Sequence, residues 1–171
     1  MSIFDLFSTR PPEPRTPGDT ETVRKITEQL DALEPERARY LAAFAYVLSR
    51  VARAELKIDS EETREMERLV MEQGGLPEEQ AIIVVQIAKH QNLLFGGTEN
   101  FLVTREFNKI STREQKLELL ACLFSVAAAT HLISDKEDNE IRQVANELGL
   151  SHQDFIAVRS RFRDKLAVLK G

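Results

Sequence analysis

The chain has 171 residues, of which 42% are hydrophobic and 30% charged, with a net charge of −5. That length and balance give one soluble domain with a core of its own, and the acidic charge excludes a general nucleic-acid binder, which needs a basic face. The lone cysteine, Cys122, excludes an intrachain disulfide.

Taken in chain order, the first segment is "MSIFDLF", whose Ile3, Phe4, Leu6 and Phe7 are large and apolar. It lacks the basic start of a signal peptide, and Asp5 interrupts the apolar run. These four side chains suit a contact with their own domain, with a partner, or, weakly, with a membrane surface. From Ser8 to Asp19 the chain reads "STRPPEPRTPGD", with four of the six prolines, so it is expected to be an extended linker. Residues 1–19 are therefore read as tail and linker, and residues 20–171 as the folded domain.

Beyond the linker the apolar residues recur at helical spacing. Val23, Ile26, Leu30 and Leu33 form one stripe. Leu41, Phe44, Leu48 and Val51 form the next, after Pro35. Met66, Leu69 and Val70 precede Gly74, and Ile83 and Ile87 follow Pro77. Pro35 and Pro77 both suit a first helical position, where no amide donor is needed. Phe95 to Ile110 reads as a Gly-Gly loop and a short helix. Leu120, Leu123 and Ala127 continue the count; Ile141, Val144, Ala145 and Leu148 stop at Gly149. Phe155, Val158, Phe162, Leu166 and Leu169 are expected to close it as one stripe. The segments around 36–54 and 114–130 are apolar over much of their circumference, as central helices are. Cys122 sits in "LLACLFSV" and reads as a core residue rather than a reactive thiol. No apolar run approaches the ~20 residues that span a bilayer, and a cytoplasmic location is expected.

One sentence is written twice. "AELKIDSEE" (Ala54 to Glu62) returns as "ATHLISDKE" (Ala129 to Glu137), offset by 75 (129 − 54). At that offset Leu48 matches Leu123, Val51 matches Val126, Ile58 matches Ile133, Glu62 matches Glu137 and Met66 matches Ile141. Upstream, Ile26, Leu30 and Leu33 pair with Val103, Phe107 and Ile110. The expected fold is all-α, a compact bundle of about eight helices in two pseudo-symmetric four-helix halves; the bland alternative is chance likeness of amphipathic helices.

The repeated turn has two readings. Asp59 and Ser134 stand three residues before Glu62 and Glu137, which makes a capping box at each new helix. Glu55 and Glu62 also flank one turn and could share a hard cation, calcium, magnesium or manganese. Glu55 lies seven residues after Leu48 on the inward stripe, where a carboxylate needs a partner, water or a metal. His131 is expected to end a helix, where the dipole favours a cation. "KEDNE" (Lys136 to Glu140) reads as a solvated first turn.

The motif Ala–acid–x–x–Ile–[Ser/Asp]–x–x–Glu, twice, with helical flanks over about residues 22–165, resembles the TerB (tellurite-resistance protein B) family. The amino-terminal domain of the DjlA co-chaperone is similar. Family members typically read Ala-Asp-Gly at the turn; Ala54-Glu55-Leu56 keeps the acid, and Ala129-Thr130-His131 keeps neither the acid nor the glycine. The resemblance implies a non-enzymatic helical interaction module linked to tellurite resistance and stress response. It implies a divalent-metal cluster mapping to Glu55, Glu62 and Glu137, and an unidentified protein partner. A DjlA-like domain regulating a membrane or chaperone partner is the alternative; a metal-dependent hydrolase using Glu55, Glu62 and His131 is the more distant one.

Overall fold

The computed structural model describes residues 17–52, 60–95, 100–129 and 131–169. Nine α-helices are described: α1 (Pro17–Asp31), α2 (Pro35–Ala52), α3 (Ser60–Glu72), α4 (Glu78–Lys89), α5 (Gln91–Phe95), α6 (Asn100–Ile110), α7 (Arg113–Ala128), α8 (Asp135–Glu147) and α9 (His152–Arg159). Two 3₁₀ turns follow, Ser160–Lys165 and Ala167–Leu169. Among the described residues the extended pairing is one isolated bridge, Ile133 to Leu166.

The most apolar segments became the centre. Every residue of α2 from Tyr40 to Ala52 is buried, as is α7 from Leu119 to Ala127. The two helices pack on each other; α2 also meets α1, α4, α5, α6 and α8, and α7 also meets α3, α8 and α9. Burying each large apolar side chain there stabilises the fold by about 1.5–3 kcal/mol. Aromatic rings tie the layers together: Tyr40 lies 5.2 Å from Phe107, and Tyr46 lies edge-on 4.8 Å from Phe95.

The repeat is visible in the packing. Leu48 and Leu123, Val51 and Val126, and Met66 and Ile141 are all core residues, as are Ile26 with Val103 and Leu30 with Phe107. Helix order runs α1–α4, then the short α5, then α6–α9. Each third helix crosses over: α3 packs on α7, and α8 packs on α2. The outer helices break the symmetry, since α1 lies against α2, α4 and α5, whereas α6 lies against α2 and α8.

Glycine stops the two third helices. Gly75 and Gly149 both take φ 70°, the left-handed conformation that ends a helix. At α8 the Leu150 amide donates to the Ala145 carbonyl and the Gly149 amide to that of Asn146, a Schellman closure. Gly74 is needed for space: a Cβ there would sit 2.9 Å from Phe44 Cζ.

Three expectations are corrected. The linker ends earlier than Asp19, because α1 starts at Pro17, a residue pre-set for a first helical turn. Pro35 does open α2, but Pro77 is the residue before α4, its carbonyl accepting from the Gln80 and Ala81 amides. The final stripe is not continuous helix. After Arg159 the chain tightens to 3₁₀ and becomes extended at Leu166 (φ −83°, ψ 119°). That change of period keeps Leu166 inside at 1% exposure and turns Leu169 out at 57%.

Candidate functional site

The second copy of the turn is built as its sequence dictates. Ser134 is the cap of α8, and its hydroxyl accepts from the Glu137 amide at 3.1 Å. Glu137 Oε1 accepts in return from the Ser134 amide at 3.0 Å, so the capping box is complete. Ile133, just ahead, is 1% exposed and anchors the entry. α7 ends at Ala128, so His131 lies in the turn beyond it. His131 is exposed, with Nδ1 2.6 Å from the Leu132 carbonyl and 3.8 Å from Glu137 Oε1. The structure thus brings His131 and Glu137 together.

Of the first copy, Glu62 is exposed in the first turn of α3 beside Glu61. Glu55, Ile58 and Asp59 lie outside the described residues, as do Thr130, the Gly-Gly pair, Ser8–Thr16, and Ile3, Phe4, Leu6 and Phe7. Among the described residues no three His, Cys, Asp or Glu side chains gather as a metal site.

"KEDNE" is not a uniformly solvated turn. Asp135 and Lys136 are exposed, but Asp138 is 6% exposed. Arg159, the last residue of α9, grips it with both arms: Nε donates to Oδ1 at 2.9 Å and Nη2 to Oδ2 at 2.8 Å. The same hydrogen bonds hold the Arg159 guanidinium above the usual arginine range. Glu140 is also committed, accepting from Arg50 Nε at 2.7 Å.

Arg50 is the centre of a buried polar cluster. Its side chain is 3% exposed, on central helix α2. Besides Glu140 it meets Glu147 Oε2 at 3.1 Å and donates to Thr104 Oγ1 at 2.9 Å. One guanidinium thus joins α2, α6 and α8, satisfying a buried charge that alone would be costly. Sequence reasoning missed it, although Arg50 is the lone charged residue between Tyr40 and Ala52. Asp138 was also legible, standing three residues before Ile141 on the apolar stripe of α8.

Cys122 is a core residue as expected. It is fully buried, and that burial pushes its thiol up to about 12, so it is no nucleophile at neutral pH. His90 closes α4, with its amide on the Gln86 carbonyl.

A family model described as tellurite resistance protein TerB matches residues 40–160. The chain belongs to the TerB family. The match runs from the buried stretch of α2 to the end of α9, and so takes in both copies of the turn of this TerB-family domain. No curated protein and no solved structure matches. No helix of the described residues is long and apolar enough to cross a membrane.

Proposed function

We propose that this TerB-family chain is a non-enzymatic, cytoplasmic interaction module serving tellurite resistance or a related stress response, with a divalent cation tuning its contact with a protein partner. The family match over residues 40–160 carries the reading. The cation is assigned to the repeated turn, with Glu55 and Glu62 as donors in the first copy and Glu137 as the matching carboxylate of the second. Hard carboxylate oxygens favour calcium, magnesium or manganese. Glu137 spends Oε1 on its cap, and a carboxylate has a second oxygen to offer. The acidic first turns of α3 (Glu61, Glu62) and α8 (Asp135, Glu137) support the placement. The tail side chains Ile3, Phe4, Leu6 and Phe7 are assigned to the partner contact.

Thermal unfolding of chelator-treated protein with each cation tests this. At ligand ~100-fold above its dissociation constant, binding to the native state adds roughly 2.7 kcal/mol. The shift should disappear in Glu55→Ala and Glu62→Ala. No shift with any of the three ions would leave the turn a capping device and remove the cation from the function.

A further inference from the structure

We infer that the backbone edge of Ile133, with the Leu166 pocket beside it, is a slot for an extended aliphatic peptide, covered in cis by the chain's own Lys165–Ala167. The Ile133 amide donates to the Lys165 carbonyl at 2.6 Å, and the Ala167 amide donates to the Ile133 carbonyl at 2.9 Å. Both polar groups of one residue are thus paired with an extended segment running parallel to it. This is the exchange by which a peptide adds to an exposed strand edge. Leu166 supplies the side-chain anchor, at 1% exposure.

The covering segment is lightly held. Arg163, Asp164, Lys165, Val168 and Leu169 are all exposed around that anchor. Before it, Phe162 stacks on Phe124 with centroids 5.4 Å apart. The corresponding stretch after α4 is held harder: α5 buries both Leu94 and Phe95. The strap also lies beyond the stretch that the family model matches, residues 40–160.

The strap's own pattern names the occupant: an extended peptide with a leucine-sized anchor, flanked by residues that stay outside. Leu132, Val168 and Leu169, at 42%, 53% and 57% exposure, extend the apolar surface beside the bridge. Segments held by few buried contacts open locally, without global unfolding. The slot stands independently of the cation reading.

Hydrogen exchange on the full chain tests the opening. The Ile133 and Ala167 amides should exchange about 100-fold faster than the Leu120–Phe124 amides of α7, as local opening requires. Equal rates would overturn the inference. Binding is tested with the full-length Leu166→Asp variant and a fluorescent peptide of residues 163–171. The variant should bind it saturably, the wild type at least about 10-fold more weakly because its own strap competes, and the same peptide with Leu166 changed to aspartate and Leu169 kept should not bind. A helical variant that ignores the peptide, or a variant that fails to fold, marks the strap as fixed core and sinks the slot. A wild-type dimer abolished by Leu166→Asp would give the slot to a second copy instead of a peptide.

Discussion

The first turn of α3 and the first turn of α8 occupy matching places and solve the same burial problem differently. In α3 the inward position is Thr63, whose hydroxyl accepts from Lys89, the last residue of α4, at 3.3 Å. In α8 it is Asp138, gripped by Arg159, the last residue of α9. Each half thus ties its third helix to the end of its fourth, once through a neutral acceptor and once through a buried ion pair. The central helices differ in the opposite sense. Arg50 of α2 bonds across to α6 and α8, whereas its match in α7, Ser125, turns its hydroxyl back to the Ala121 carbonyl. The lesson is that the apolar face was kept between the copies while each buried polar position found its own partner. Polar groups need a specific neighbour, whereas apolar groups need only contact.

The largest expected effect breaks the Arg50 side of that comparison. Arg50→Ala leaves the Glu147 carboxylate, 15% exposed, without its guanidinium and should cost about 3–5 kcal/mol, a Tm lowered by roughly 10 °C in thermal unfolding. Ser125→Ala should cost under about 1 kcal/mol, because its helix carbonyl keeps its backbone partner. Next is the first-turn contrast. Asp138→Ala leaves Arg159 half-buried without its carboxylate and should cost about 3 kcal/mol, against about 1 kcal/mol for Thr63→Val; similar losses at both sites in urea titrations would erase the distinction.

A smaller effect appears in alkali. Burial raises the Cys122 thiol from its ordinary 9.0 to about 12. The folded state therefore holds this proton after the unfolded chain has lost it. Stability should be full below pH 9 and fall as pH rises toward 12, by at most about 1.4 kcal/mol per unit. Cys122→Ala should flatten the curve between pH 9 and 10. Above pH 10.0 Tyr40, also raised by burial, adds its own fall. A small effect is also expected at the cap: Ser134→Ala should cost about 1 kcal/mol, and Asp59→Ala the same if the first copy is capped alike.

Much of this was legible in the one-dimensional pattern. Period, glycine stops and the Ser134–Glu137 box are local properties, decided within a turn or two of chain, and the structure repeats them. The doubled turn marked the halves for the same reason, since residues 75 apart carry the same face (123 − 48). The Pro-rich segment misled at its end because Pro17 both breaks an extended run and starts a helix.

What the sequence determined by itself is the helical class, the two central helices, the doubled organisation and the family. What only the tertiary structure decided is with whom the buried charges pair. Arg50 and Glu140 are 90 residues apart, and Asp138 and Arg159 are 21 apart; no local period encodes either meeting. The strap at Leu166 belongs with them, since an aliphatic stripe reads as helix until a distant backbone, here Ile133, offers it hydrogen bonds. Side-chain burial is a sum over neighbours that spacing can anticipate, whereas a hydrogen bond requires one donor and one acceptor at a fixed distance, and that condition is met only when the chain has folded.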